Sequence, residues 1–362
     1  MTTAKRFSGP SRLWIRLALA CLSILALPAV GRAGQRLDNT FNALCVGLKY
    51  PGTPDKLDFT TKDALDMARA FQKVSGFDLK HYRVETLVDD DPQGDKPTPE
   101  TIIRRLEVMA KAAGPDDRLV FFFSGHGRKN EQNESMLICS GGEAQDDPKG
   151  HLRLSEVRDI LGRSRARDKL VLVDACYSGG KATNDGGLSA ADVAESMRFS
   201  GAKSGADDGS QSAWLVSSSV NEKSWEDGES RNGLFTRYLL EALGPQADIA
   251  DSNRDSFLSL KELHQYVKNG ISAFIYQKAV REKQEKWRGV SQTPTVGMGG
   301  NRDPDSPLLD KKNFFFLGSN MESPAEPVRI DPDQVALERL NQAAALLDPM
   351  FDQYAVLLPK LA

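Results

Sequence analysis

Two stretches of the sequence decide the fold, and each is an apolar run that leads into glycine and a reactive side chain. They read RLVFFFSGHG over residues 118–127 and KLVLVDACYSGG over residues 169–180. Unbroken apolar runs of this length are typical of strands buried on both faces, as in a parallel sheet. Because parallel strands end at the same edge of a sheet, we expect His126 and Cys176 to face each other across a cleft. The flanking glycines are expected to let each turn bend sharply and to admit a substrate backbone.

The rest of the chain, from about Asn39 onward, alternates between short apolar runs and stretches of helical periodicity. Further strands are predicted at Ala43–Leu48, Tyr82–Val88 and Ala213–Ser218. Helices are predicted at Lys62–Val74, from Thr98 to about Ala112, from Ser155, at Gly233–Leu243 and at Ser259–Val280. This alternation predicts an α/β protein, a three-layer α/β/α sandwich with a mainly parallel sheet.

Composition places the chain among ordinary globular proteins. It has 362 residues, of which 40% are hydrophobic and 27% charged, and its formal net charge is −3. A net charge this small gives no general case for binding nucleic acid or an anionic membrane surface. The length suits one large domain or two small ones.

The first 33 residues have the pattern of an export signal. A basic start is followed by the apolar run Leu17–Leu27 and by small residues at Ala29, Gly31 and Ala33. The apolar run is too short for an ordinary membrane span, so none is expected in the mature chain. We therefore predict an exported protein, periplasmic or secreted. A lipoprotein modified at Cys21 and an uncleaved N-terminal anchor are the alternatives.

Three cysteines remain once the predicted signal is removed, and an odd number leaves at least one thiol outside any intramolecular disulfide. Cys45 and Cys139 each lie within an apolar run, which favours small buried core residues over a disulfide. Cys176 is placed differently, at the predicted edge of the sheet.

The pair of His126 and Cys176 has the chemistry that thiol catalysis needs. A thiolate attacks a peptide carbonyl, and a nearby imidazole supports its ionisation and later protonates the leaving amine. Taken singly, a cysteine at a strand end is more often a packing residue, and a histidine in a turn is more often a surface residue. Their joint occurrence, each beside glycine after a strongly apolar strand, favours a nucleophile and its base.

The Ser-Gly-His-Gly and Asp-Ala-Cys-Tyr-Ser-Gly motifs, 50 residues apart, resemble those of the caspase-like cysteine peptidases, in particular the metacaspase branch of bacterial type. The resemblance covers roughly Asn39 to Gly318, and Trp214–Leu243 is similar to the small-subunit region of the family. It implies that Cys176 is the nucleophile, that His126 is the base, and that the backbone amides of Gly127 and Cys176 form the oxyanion hole.

The same resemblance implies a substrate pocket lined by Asp63, Asp174 and Ser124. Two carboxylates at the base of a pocket favour a cationic side chain, so the expected substrates are proteins or peptides cut after Arg or Lys. From the residues alone, Asp63 could instead be a solvated acid in the first turn of a helix. Asp174 could likewise be a structural acid at a strand end. Thr60 departs from the family, since many metacaspases have a cysteine there.

A separate pattern, Asp251–Glu262, has oxygen-bearing side chains at positions 1, 3, 5, 9 and 12, the spacing of an EF-hand loop. The candidate calcium ligands are Asp251, Asn253, Asp255 and Glu262. Position 6 is Ser256, whereas the sharp turn of an EF-hand favours glycine. Weak calcium binding and an Asx-rich turn that caps the next helix at Ser259 both remain open. We expect no required cofactor, with calcium as an optional ligand.

Two segments interrupt the alternation. Ser178–Gln211 is rich in small and polar residues and is predicted to be a mobile loop, with self-cleavage sites at Lys181, Arg198 and Lys203. Residues 319–362 are predicted to form a linker and a helical tail that docks on the domain or binds a partner. Two further functions stay open: a related peptidase of legumain or clostripain type, and a caspase-like scaffold that binds partners with little turnover.

Overall fold

The structure is a computed structural model, and it describes residues 40–54, 56–73, 82–130, 132, 134–141, 150–166, 168–177, 188, 190–198, 212–219, 222–299, 303–305, 309 and 313–316. The chain divides into two units, Met1–Arg36 and Leu37–Ala362, and every described residue belongs to the second. The predicted signal, the predicted tail, Lys181 and Lys203 lie outside the described residues.

A mainly parallel sheet forms the centre of the domain. Its six-strand path runs in the order β11-β7-β6-β3-β1-β2, with β4 paired to β3 and β5 paired to β4. All neighbours along the path are parallel except the edge pair β11 and β7, which is antiparallel. The strands of this sheet are β1 (Phe41–Gly47), β2 (Tyr82–Val88), β3 (Arg118–Lys129), β4 (Ser135–Ile138), β5 (His151–Arg153), β6 (Asp168–Tyr177), β7 (Ala213–Val216) and β11 (Thr295–Met298).

Two small antiparallel pairs, seven α-helices, a π-helical turn and a 3₁₀ helix at Glu285–Trp287 complete the described elements. The pairs are β8 (Glu226–Asp227) with β9 (Asn232–Gly233), and β10 (Phe257–Ser259) with β12 (Asn313–Phe316). The helices are α1 (Thr60–Lys73), α2 (Pro99–Ala112), α3 (Leu154–Arg163), α4 (Ala190–Ser196), α5 (Leu234–Ala242), α6 (Ala247–Ala250) and α7 (Leu260–Tyr276). Helix α7 continues into a π-helical turn at Gln277–Arg281.

Alternate residues of the central strands enter two separate cores, one on each face of the sheet. On β3, Val120 and Phe122 pack with residues of α1, α5 and α7. Phe121 and Phe123 of the same strand pack with residues of α2, α3 and α4. Side chains of a strand point to opposite faces in turn, so a strand that is apolar at every position needs cover on both faces. The prediction of a three-layer α/β/α sandwich is confirmed.

Local sequence signals account for the start of α2 and for the close approach of α1 to the sheet. The Thr98 hydroxyl accepts a hydrogen bond from the Thr101 backbone N–H at 3.3 Å, and Pro99 follows in the first turn of α2. Helix α1 lies so close to the end of β1 that a Cβ at Gly47 would overlap the Thr60 carbonyl oxygen. This close approach brings the first turn of α1 to the carboxyl edge of the sheet.

The structure differs from the sequence-based predictions in two places. The Ser-Gly-His-Gly and Asp-Ala-Cys segments were expected in turns, but they continue β3 to Lys129 and β6 to Tyr177 as regular strand. The prediction of a loop throughout Ser178–Gln211 is wrong at α4, where Val193 is fully buried. The Lys129 ammonium also pairs with Asp192 of that helix at 2.8 Å.

The cysteines of the core agree with the prediction of buried thiols. Cys45 and Cys139 are both fully buried, and burial raises the pKa of the Cys45 thiol. The Cys139 thiol donates to the Leu137 carbonyl at 3.6 Å. A low-dielectric site disfavours the thiolate, so Cys45 is a packing residue without nucleophilic character.

Candidate active site

The carboxyl ends of β3 and β6 bring the predicted catalytic residues side by side. The two strands are paired in register from Arg118 and Asp168 onward, and His126 is the Cα partner of Cys176. Gly127 follows as the partner of Tyr177. Neighbouring strands lie about 4.8 Å apart, so the backbones of the histidine and the cysteine are adjacent. Two residues that are 50 positions apart in the sequence are thus direct neighbours in the sheet.

The same register pairs Ser124 with Asp174, two residues before His126 and Cys176. Asp63 reaches this point from the first turn of α1. Its carboxylate accepts hydrogen bonds from the Ser124 hydroxyl at 2.9 Å, the Asn232 side-chain amide at 2.8 Å and the Gly233 backbone N–H at 3.1 Å. Asp63 is only 1% exposed, so it is not a solvated helix-end acid.

Asp174 has a second set of partners from the chain beyond β7. It accepts hydrogen bonds from the Ser224 hydroxyl at 2.5 Å and from the Thr236 hydroxyl at 2.7 Å. Gly233 lies between the two acids, since a Cβ there would be 2.5 Å from Asp174 Oδ2 and 3.3 Å from Asp63 Oδ2. The structure thus places two buried carboxylates against one glycine at the edge of the sheet.

Burial and mutual repulsion disfavour the charged forms of these acids. Burial raises the pKa of Asp63 well above its usual value, and the nearby Asp174 carboxylate raises it further, against the lowering effect of its hydrogen-bond donors. Burial also raises the pKa of Asp174, while Ser224 and Thr236 act in the opposite direction. Two carboxylates this close resist ionising together. A cation placed between them would relieve both the repulsion and the lost hydration.

A third acid, Glu226, completes the acidic surroundings. It lies on β8 opposite Gly233 of β9 and accepts hydrogen bonds from the backbone N–H groups of Asp58 and Phe59. Burial is the main cause that raises its pKa, and the charges of Asp58 and Asp174 add to the effect. Sequence reasoning did not single out Glu226, because an acid beside a short hairpin is usually an ordinary surface residue.

Four partners of the carboxylate pair were also missed: Ser224, Asn232, Gly233 and Thr236. All four fall within Trp214–Leu243, the stretch whose similarity to a small-subunit region was noted. Small polar residues at strand and helix starts are common and carry no local signal of a site. Only the parallel placement of β7 beside β6 brings this stretch to Asp174.

His126 is almost fully buried and packs against Tyr50. The two rings stack with centroids 4.6 Å apart and an angle of 23° between their planes. The His126 backbone N–H donates to the Tyr50 hydroxyl oxygen at 2.7 Å. The histidine is 5% exposed and the tyrosine 2%, so both rings are held by packing.

The candidate calcium loop folds around its own backbone. Asp251 accepts hydrogen bonds from the backbone N–H groups of Asp255 and Ser256 at 3.2 and 2.9 Å. Glu262 and Ser259 exchange the hydrogen bonds of a capping box at the start of α7, as one of the two open interpretations predicts. This loop contains all four candidate calcium ligands: Asp251, Asn253, Asp255 and Glu262. Among the described residues, no group of three or more His, Cys, Asp or Glu is arranged to hold a metal ion. Calcium binding stays a prediction.

Arg198 is the one predicted processing site within the described residues. It lies just after α4, exposed, and its guanidinium pairs with Glu195 at 3.1 Å. Its carbonyl oxygen accepts a hydrogen bond from Arg158 at 2.8 Å.

A parallel sheet whose carboxyl edge joins a histidine, a cysteine and buried acids defines a class of thiol-peptidase folds. Residues 41–297 match the model of the caspase domain (Peptidase_C14), and the chain belongs to this family of cysteine-type peptidases. The matched range lies within the domain bounds predicted from sequence and includes every described residue of the paired-acid site.

Relatives found by sequence include metacaspases. Metacaspase-8 of Arabidopsis thaliana is 27% identical over 150 residues, which are 38% of this chain and 37% of that protein. Metacaspase-1 of Meyerozyma guilliermondii is 34% identical over 115 residues, 28% of either chain. Metacaspase-2 of Trypanosoma brucei brucei is 34% identical over 165 residues, 43% of this chain and 44% of that protein. The match thus spans less than half the length of each of these three relatives.

Solved structures resemble the fold at low sequence identity. A Geobacter sulfurreducens protein aligns with a TM-score of 0.46 at 19% identity, covering 77% of this chain and 100% of its own. Caspase-1 from Spodoptera frugiperda aligns with a TM-score of 0.44 at 14% identity, covering 72% and 88%.

Within the described residues, the structure has no helix that is both long and apolar enough to cross a membrane.

Proposed function

We propose that the chain is a cysteine endopeptidase that cleaves after Arg or Lys through an acyl-enzyme formed by Cys176 and His126. The observation that carries the proposal is the buried pair of Asp63 and Asp174. Asp174 lies two register positions before Cys176, and Asp63 accepts a hydrogen bond from Ser124, the register partner of Asp174. A pair of acids that ionises when a cation binds, this close to a nucleophile, would select the residue whose carbonyl is attacked. Family membership supports the thiol chemistry, and the acid pair supports the specificity.

The chemical steps follow from the roles of the two residues. The Cys176 thiolate attacks the peptide carbonyl carbon, a C–S bond forms, and the carbonyl oxygen takes up negative charge near the Gly127 and Cys176 amides. The His126 imidazolium gives its proton to the leaving nitrogen as the C–N bond breaks. Water then attacks the thioester while the imidazole accepts a proton from it. The acid product leaves and the thiolate is restored.

The preference for Arg and Lys follows from charge. Without a bound cation, the fold keeps two carboxyl groups close together at the cost of desolvation and repulsion. An inserted guanidinium or ammonium supplies hydrogen-bond donors and neutralises that charge. An acidic side chain in the same position would meet like charge instead. Electrostatic repulsion therefore opposes cleavage after aspartate, the specificity of caspases.

The test is hydrolysis of fluorogenic peptides that end in Arg, Lys, Asp or Asn, with calcium and with a chelator. We expect kcat/KM for Arg and Lys to exceed that for Asp by at least about 100-fold, the discrimination that a buried charge pair gives. Preference for Asp would overturn the acid-pair pocket, and preference for Asn would indicate a legumain-type enzyme. A calcium effect would implicate the Asp251–Glu262 loop. No hydrolysis in any condition would favour the scaffold function, with truncation of residues 319–362 as the next variant.

Substitution of Gly233 by alanine is expected to lower kcat/KM for Arg and Lys substrates by about 10- to 100-fold. The new methyl group would enter the space between the two carboxylates and force at least one of them away. Steady-state kinetics check this, with the melting temperature as the fold control. A variant with unchanged kinetics would show that substrate side chains do not approach this glycine.

Self-cleavage and export remain predictions. Arg198 is exposed, as a cleavage site requires, and intact-mass analysis of an active preparation decides whether the chain is cut there. A preparation that is active as one uncut chain would contradict obligatory processing.

A further inference from the structure

Strand β3, which carries His126, is hydrogen-bonded to different lengths on its two sides. On one side, β3 is paired with β6 as far as Gly127. On the other side, β1 ends at Gly47, and the last backbone hydrogen bond runs from Leu48 N–H to the Ser124 carbonyl at 3.0 Å. The ladder on the β1 side therefore stops two residues before His126.

The side chain of Tyr50 continues this ladder. Its hydroxyl oxygen accepts the His126 backbone N–H at 2.7 Å and donates its own hydrogen to the Ile138 carbonyl at 2.8 Å. The phenol thus links β3 to the end of β4 through the histidine backbone. Linked hydrogen bonds of this kind polarise and strengthen one another in a buried setting.

The same tyrosine holds the imidazole ring. The stacked arrangement, with centroids 4.6 Å apart, covers one face of the His126 ring. Gly125 makes the contact feasible, since a Cβ there would be 2.6 Å from the Tyr50 hydroxyl oxygen. A larger residue at this position would push the phenol away from the histidine.

Tyr50 is itself fixed by the neighbouring strand. Its backbone has a φ of 53°, in the left-handed region that bulky residues disfavour. Asp89, directly after β2, compensates by accepting hydrogen bonds from the backbone N–H groups of Lys49 and Tyr50, the latter at 2.8 Å. Strained backbone that persists because its surroundings fix it is a frequent mark of functional sites.

We infer that Tyr50 is a positioning residue for His126: its hydroxyl holds the histidine backbone and its ring holds the imidazole. The inference rests on the proposed role of His126 as catalytic base. A base must hold its ring in line with both the thiol and the leaving nitrogen, because a displacement near 1 Å costs about 100-fold in rate. Substrate contacts are made elsewhere, at the acid pair, so the tyrosine should act on kcat and leave KM alone.

The test uses two variants and a matched control. Tyr50→Phe removes the hydroxyl and keeps the ring, and Tyr50→Leu removes both. Tyr238→Phe removes the hydroxyl of another buried tyrosine, whose ring meets that of Tyr266 edge-on with centroids 6.4 Å apart. We expect kcat on an Arg substrate to fall about tenfold for Tyr50→Phe, with KM within about twofold. A fall of about 100-fold is expected for Tyr50→Leu and no change for Tyr238→Phe.

A second measurement does not need turnover. The rate at which iodoacetamide alkylates Cys176, followed by peptide mass spectrometry across pH, reports how well His126 supports the thiolate. We expect Tyr50→Leu to move this pH profile toward that of His126→Ala, whereas a purely structural tyrosine would leave it at the wild-type position.

The possible failures are distinguishable. Folded Tyr50 variants with wild-type kcat and an unchanged alkylation profile overturn the positioning role and leave the proposed function intact. If the wild type hydrolyses no peptide, the alkylation profiles still decide between a positioned and an independent histidine. If Tyr50→Leu does not fold, the Phe variant decides alone, and a kcat equal to wild type counts against the inference.

Discussion

Replacing Cys176 by alanine is expected to lower hydrolysis of Arg and Lys substrates by about 10⁴-fold or more, to the level of the background. In the proposed mechanism the sulfur of Cys176 forms the acyl-enzyme, and a methyl group offers no nucleophile in its place. Replacing His126 by alanine should produce a loss of similar size, because the two residues act as one unit and such losses are not additive. Steady-state rates of the two single variants and the double variant measure this.

The matched control for the nucleophile is Cys45→Ala. Cys45 is a fully buried thiol of β1 whose pKa is raised by burial, so its removal should cost some stability and no activity. Substantial turnover by folded Cys176→Ala would refute the proposed mechanism. Loss of activity in folded Cys45→Ala would show that the assignment of the reactive thiol is wrong.

Replacing Asp63 by asparagine is expected to lower kcat/KM for Arg substrates by about 10²- to 10³-fold. In the proposed pocket a bound Arg side chain ionises the acid pair, and asparagine removes one of the two charges that would face it, a loss of about 3–4 kcal/mol. The local hydrogen bonds survive: the new amide nitrogen can face the Ser124 hydroxyl, which rotates to accept, while Asn232 and Gly233 still donate to the remaining oxygen.

The same variant should be more stable than the wild type at neutral pH. The folded-state pKa of Asp63 is raised, so the native protein holds this proton more tightly than the unfolded chain does. Stability contributed by the protonated form is fully present below about pH 4 and is lost as the pH rises through the folded-state pKa. Asparagine cannot ionise, so its advantage in melting temperature should be absent near pH 3 and grow toward pH 7.

Glu100→Gln is the control for this prediction. Glu100 is also an acid in the first turn of a helix, but it is exposed at the start of α2. Its neutralisation should destabilise slightly through the helix dipole and leave kcat/KM unchanged. If Asp63→Asn behaved like Glu100→Gln in both measurements, Asp63 would be an ordinary helix-end acid after all.

The fold could be predicted from the sequence because its central strands are unusually apolar. Phe121, Phe122 and Phe123 leave no polar position that could mark an exposed face, which indicates a strand buried on both faces, and the alternation of strands with helices predicts the parallel sheet. Helix α4 was missed since seven residues with few large apolar side chains give a weak periodic signal. The edge strand β11 was missed for a similar reason, being four residues that include a glycine.

Only part of the site could be predicted from the sequence. His126 and Cys176 follow the apolar runs of two neighbouring parallel strands, so the topology brings them together. Asp63 was found through a family resemblance, because its own neighbourhood looks like any helix start. Tyr50 gave no signal at all: it is a single aromatic residue in a turn, 76 positions before the histidine on which it stacks. Contacts that depend on where a turn places one side chain are not encoded in local periodicity.

The crossover between β6 and β7 has a consequence for the integrity of the molecule. These strands are direct neighbours, paired from Leu170 with Ala213 to Val173 with Val216. Asp174 lies before the crossover, and its partners Ser224 and Thr236 lie after it. A break in the intervening peptide would therefore leave two fragments joined by a sheet ladder, a shared core and the hydrogen bonds of the pocket itself. A chain cut at this crossover is therefore expected to stay assembled as two fragments.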